Sequence, residues 1–141
     1  MTGNVFKKGV VSFGSPAKRV WREIRHRYPA GGTIRNMSDF VRDGIIPSGS
    51  PVAYDASTKS IAVIKYTDIS AASTAEAIAA LGINGYLQED VVLDSTGGGG
   101  VPDAATGTVV YAGELYEYMY PADVVAVLKQ VTTTPQIVFV Q

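Results

Sequence analysis

A chain of 141 residues with 46% hydrophobic content is long enough for one domain to bury a core without covalent staples. It contains no cysteine, which excludes disulfide frameworks, thiolate metal sites and cysteine nucleophiles, and which suits a chain that matures in a reducing cytosol. The net charge of −1 conceals a split, because residues 1–45 hold nine Lys or Arg against three Asp or Glu, while residues 46–141 hold three against ten. Either a basic arm meets an acidic partner, or copies of the chain pack head to tail, or the two parts attract each other within one fold. No apolar run approaches the ~18 residues that span a bilayer, and the start Met1–Lys8 lacks the apolar core of a signal peptide, so a soluble chain with no membrane partner is expected.

Val5, Phe6, Lys7, Lys8, Val10, Val11 and Phe13 show too little periodicity for a core and read as an extended N-terminal arm over residues 1–14, ahead of a single domain over 15–141. Ser15–Pro16 then offers a cap and first helical residue, with Val20, Trp21, Ile24 and Tyr28 on one stripe. Helix is the favoured reading there and strand the alternative, since Arg22 and His26 share parity with Val20, Ile24 and Tyr28 and would spoil a buried strand face. Pro47–Pro51 is turn chemistry that delivers the chain into a hairpin of Val52–Tyr54 and Ile61–Tyr66, with Ile61, Val63 and Ile64 expected in the core. Ser73–Glu76 has the spacing of a capping box for a short helix that Gly82 ends. Gly85–Leu93 reads as a strand, Gly97–Gly100 as a surface loop, and Thr108–Tyr116 as a strand that a bulge interrupts near Gly113. Pro121 and Asp123 open a helix whose stripe is Val124, Val127, Leu128 and Val131, and Ile137–Val140 closes the chain as a strand paired into the sheet. Together these elements predict a mainly β chain with short helices (α+β), built as a small β-sandwich or barrel-like domain.

Chemistry is sparse, and no catalytic residue, metal or cofactor is expected. His26, the single histidine, has no second histidine or cysteine with which to build a metal site or a triad. Glu89, Asp90 and Asp94 would offer oxygen ligands to calcium, but their spacing matches no known loop and solvated acids at a strand end are the simpler reading. An enzymatic or ligand-binding reading would need a cleft enclosing Glu89 and Asp90. The four glycines lack the lysine and hydroxyl residue of a phosphate-binding loop. Residues 18–28 combine cations with Trp21 and Tyr28, the pattern of a nucleic-acid module, although those aromatics share the apolar stripe and nucleic acid is the lesser expectation. Arg22, Arg25 and Arg27 form a candidate electrostatic interface, and Tyr116, Tyr118 and Tyr120 a candidate oligomer interface, because tyrosine joins apolar area to a hydroxyl.

Three glycine- and proline-bounded phrases carry a resemblance: Ile45-Ile46-Pro47-Ser48-Gly49-Ser50-Pro51-Val52-Ala53-Tyr54-Asp55, Gly85-Tyr86-Leu87-Gln88-Glu89-Asp90-Val91, and Gly107-Thr108-Val109-Val110-Tyr111-Ala112-Gly113-Glu114-Leu115. In this order the chain resembles the lambdoid phage head decoration proteins and the capsid-binding domains of phage head-fibre proteins, over roughly residues 45 to 115. The resemblance implies a structural virion protein rather than an enzyme. Such a protein is made in the host cytoplasm, docks on the outer capsid surface against the major capsid protein, often as a trimer, and adds its N-terminal arm to capsid β-structure. The basic region before Ile45 is longer than in the small decoration proteins, and the Val124–Val140 end is more similar to the capsid-proximal part of a head-fibre protein.

Overall fold

The computed structural model describes residues 20–40, 44–92 and 105–141. The seven arm residues from Val5 to Phe13, Ser15–Pro16, Asp94 and the four glycines lie outside the described residues. In chain order the elements are β1 (Trp21–Arg27), β2 (Gly32–Ile34), a 3-10 turn (Met37–Phe40), β3 (Ile45–Ile46), β4 (Pro51–Asp55), β5 (Ser60–Val63), α1 (Tyr66–Ala71), α2 (Ala75–Ala80), β6 (Gly85–Leu87), β7 (Val91–Val92), β8 (Ala105–Gly107), β9 (Val109–Tyr116), a second 3-10 turn (Glu117–Met119), α3 (Ala122–Leu128) and β10 (Ile137–Val140). The described chain is mainly β, as its composition of short apolar runs predicts.

One bent ribbon organises the sheet. β1 and β9 pair antiparallel as far as Arg27 opposite Val110, the Tyr28 N–H donates to the Val109 carbonyl at 2.9 Å, and β2 and β8 continue the pairing from Gly32 opposite Gly107. The bend falls at Ala30 and Gly31, whose φ angles of 68° and 58° turn the chain sharply. A side chain at Gly31 would strike the Gly107 carbonyl, so only glycine allows the two halves to approach there. The hydrogen-bonded order is β1-β9-β6-β4-β5-β2-β8. Both ends of the sheet therefore belong to the same ribbon, and the sheet curls into a half-barrel.

Two cores follow from that curl. Ile34, Val52, Tyr54, Ile61, Val63, Leu87 and Val109 fill the concave side, with Met37, Phe40 and Ile46 closing one end. On the convex side Trp21, Tyr86, Val110, Leu115 and Ile137 pack against Ile69 of α1, Ile78 of α2 and Val124, Val125, Val127 and Leu128 of α3. Successive strand residues face opposite sides, so Tyr86 and Leu87, like Val109 and Val110, each divide between the two cores. That is why these runs are continuously apolar rather than alternating.

β9 is the hub. Along one edge it pairs with β1. Along the other it pairs first with β6, through Val109 and Val110, and then in parallel with β10, from Ile137 opposite Gly113 to Val140 opposite Tyr116. The expected pairing of Ile137–Val140 is thus present. So are the hairpin, with Val52 opposite Val63, and the helix beginning after Pro121.

Five expectations need correction. Residues 21–27 form a strand, not a helix: register shifts between Trp21 and Glu23 and between Ile24 and His26 insert extra residues, so strict parity does not apply and Trp21 can be buried while Arg22 and Arg25 stay exposed. The second hairpin strand ends at Val63, and Tyr66 opens α1, leaving Ile64 half-buried beyond the ladder. The cap of α2 is Thr74, whose Oγ1 accepts the Ala77 N–H at 3.1 Å, one residue after the Ser73 of the expected capping box. The strand expected over 85–93 breaks at Gln88–Asp90, and its second piece, β7, pairs with β3. In β9 the extra residue is Tyr111, between the Ala112 and Val110 that face His26 and Arg27, rather than Gly113.

Candidate interaction surface

The far half of the sheet, β1–β9–β10, has one face under the helices and the other open. Trp21, Gly113, Leu115, Ile137 and Phe139 share the covered face, where a Cβ at Gly113 would lie 3.1 Å from the Trp21 ring. By alternation and register, Glu114, Tyr116, Val138 and Val140 share the open face. The bulges in β1 add Arg22 and Arg25 to it, since both reach Glu114. The sequence WREIRHR thus presents two arginines on one face without exposing Trp21, whose Nε1–H donates to the Leu87 carbonyl at 3.2 Å.

The charged half of this face is an ion-pair cluster. Arg25 Nη2 lies 2.9 Å from Glu114 Oε2 and 3.5 Å from Glu23, and Arg22 pairs with the other Glu114 oxygen. Hydrogen bonding to Glu114 holds the Arg22 guanidinium above its ordinary pKa. Glu114 belongs to the acidic part of the chain and the two arginines to the basic part, so for these residues the charge split closes within one fold. Arg27 is exposed and has no ion pair among the described residues.

The apolar half is a short strip. Tyr118 is 62% exposed and Val138 45% exposed, beside half-buried Tyr116 and Val140. The Tyr116 and Tyr118 rings meet at a tilt of 40°, with centroids 5.4 Å apart. Tyr120 is not part of this surface: it is 6% exposed, sits in the convex core, and donates its hydroxyl to the Gly49 carbonyl at 2.7 Å. Burial raises its pKa well above the usual phenol value. Residues 1–19 join the described structure beside this strip, because the Val20 carbonyl accepts the Tyr116 N–H at 2.9 Å.

The structure thus brings together Val20, Arg22, Arg25, Tyr116 and Tyr118, and separates Arg27 and Tyr120 from them. Glu114, Val138 and Val140 were missed. The signal for Glu114 was a lone acid inside an apolar strand, and for the valines the alternation of IVFV.

The other candidates read differently in three dimensions. Tyr28 is wedged between Tyr54 and Tyr111, at 4.7 and 4.8 Å, and Trp21 is buried, so neither ring of the basic segment is offered to a base. His26 is exposed and stacks on Tyr111 at 5.9 Å. Glu89 and Asp90 are exposed and line an open cleft of about 290 Å³ with Gly31, Thr106 and Thr108, and Asp90 Oδ1 accepts the Ser48 N–H at 2.7 Å. Among the described residues no group of three His, Cys, Asp or Glu stands close enough to hold a metal ion, and no helix is long and apolar enough to cross a membrane. Comparison with protein-family models, with curated proteins and with solved structures finds no match for this chain.

Proposed function

We propose that this protein is a structural virion component that binds the outer surface of a phage capsid through its N-terminal arm and the open face of β1–β9–β10, as a homo-oligomer for which a trimer is favoured. The observation that carries the reading is that Val20, where residues 1–19 join the described chain, accepts the Tyr116 N–H on the same half of the sheet that exposes Tyr118 and Val138. A surface that sets exposed aromatic and aliphatic side chains beside a charged cluster has the composition of a protein contact. The Arg22–Arg25–Glu114 cluster would set approach and register, while the apolar strip and main-chain pairing by the arm would hold the complex. In a homo-oligomer that engages several capsid sites at once, the linked weak contacts add up to stable decoration through avidity.

Co-sedimentation with empty shells assembled from the major capsid protein of the same genome tests this directly. The parent chain is expected to pellet with shells. Tyr118→Asp with Val138→Asp, two exposed positions, should weaken binding at least about tenfold without moving the melting temperature. A parent chain that stays in the supernatant, or a double variant that pellets like the parent, contradicts the proposal.

A further inference from the structure

Among the described residues the sheet half β1–β9–β10 has β1 and β10 as its edge strands, and the chain treats the two edges differently. An open edge offers N–H and C=O groups to any other strand, and folds usually guard it with charges, prolines or bulges. β1 is guarded in this way: register shifts interrupt it, and Arg22, Glu23, Arg25 and Arg27 lie along it. β10 is not. Ile137-Val138-Phe139-Val140 has no charge, no proline and an unbroken register with β9, and no described strand pairs with its outer edge.

The ladder fixes which groups that edge presents. The Gly113 N–H donates to the Gln136 carbonyl at 3.1 Å, so in this parallel pair Val138 and Val140 turn their N–H and C=O groups toward β9, while Phe139 and Gln141 turn theirs outward. The Ile137 N–H, also on the outer side, is taken by the Thr134 carbonyl at 3.1 Å, which leaves the Ile137 C=O to the edge. We infer that this edge pairs with β10 of a second copy, antiparallel about a two-fold axis at Phe139. In that register the two Phe139 residues exchange N–H···O=C bonds, and each Gln141 N–H meets the Ile137 carbonyl of the other copy. Val138 then faces Val140 of the other copy on the open side of the sheet. In the single chain Val138 is 45% exposed and Val140 half-buried, so the pairing covers apolar area on both, and a net charge of −1 leaves little repulsion between copies. A head-to-tail contact of β10 with β1 is disfavoured, because the shifts in β1 break the register and its charges would lie beside the valines. The two-fold contact is separate from the threefold one of the proposed trimer and needs no capsid, so it stands independently of that reading.

The absence of cysteine makes the register testable. Val138→Cys and Val140→Cys chains are oxidised alone and as a mixture, and the products are resolved by non-reducing electrophoresis and mass. Facing positions of this kind lie about 4.5 Å apart between Cα atoms, within disulfide reach, whereas each residue and its own copy are roughly 7–8 Å apart. The mixed disulfide is therefore expected to form at least about tenfold faster than either homodimer. A second measurement uses no cysteine: Gln141→Pro, at an exposed position, removes the N–H that meets Ile137 and should weaken self-association in sedimentation at least about tenfold without moving the melting temperature. Equal rates in the three oxidations would overturn the inference, as would a sedimentation profile that Gln141→Pro leaves unchanged. Fastest linkage of Val138→Cys to itself would also overturn it, by placing the contact between open faces instead of edges.

Discussion

Tyrosine is the residue type whose role this chain varies most. Tyr118 offers its ring to solvent, Tyr120 spends the same chemistry on a core position and a hydrogen bond to Gly49, and Tyr86 is fully buried with its hydroxyl near Thr134. Burial pushes the Tyr66 phenol up from 10.0 to about 12 and raises those of Tyr86 and Tyr120 as well. The folded state therefore holds these protons more tightly than the unfolded state does. The corresponding stability is complete below pH 10 and is lost as pH rises through about 12 for Tyr66. Urea midpoints should fall steeply over this window, and Tyr66→Phe should flatten the fall relative to the parent. Identical slopes would mean that the Tyr66 ring is solvated. At this scale the sequence was least legible: Tyr116, Tyr118 and Tyr120 are spaced alike on paper, and only the 3-10 turn at Glu117–Met119 sends Tyr118 outward and Tyr120 inward.

At the scale of elements, the readable parts were those whose local chemistry agrees with the fold. The Pro51–Val63 hairpin, α3 after Pro121 and β10 carry turn residues, a helix start and an apolar run that point one way. The cap of α2 was legible to within one residue. Both Ser73 and Thr74 are cap residues, and the backbone selects Thr74, with φ −120° and ψ 161° and its hydroxyl on Ala77. Thr74→Ala should cost about 1 kcal/mol in chemical denaturation and Ser73→Ala much less. The opposite ranking would restore the capping box at Ser73. β1 was misread because nothing in WREIRHR marks where a bulge falls; its position is imposed by the partner strand. Gly113 shows that constraint, since a Cβ there would lie 2.5 Å from the Glu23 carbonyl, which is backbone and cannot swing aside. Gly113→Ala should therefore destabilise by about 1–3 kcal/mol through overpacking and loosen β1 from β9. Parent-like stability would show that β1 has room to move there.

For the whole molecule, the barrel-like outcome was legible but its means were not. Pairing of 21–34 with 105–116 joins residues far apart in sequence, and no local pattern announces that one ribbon will supply both ends of the sheet. The charge split was visible from composition, yet Arg22 and Arg25 turn out to meet Glu114 of the same chain, so they would face a partner as a paired cluster, while Arg27, Arg35 and Lys59 are exposed with no ion pair among the described residues. The capsid reading consequently depends most on the arm. The decisive measurement is the occupancy of capsid shells by residues 15–141 against the full chain, by co-sedimentation and cryo-electron microscopy, with both proteins matched in melting temperature. The truncated chain is expected to fold as the parent does and to leave the shells bare, whereas decoration at the parent's occupancy would contradict the role given to the arm.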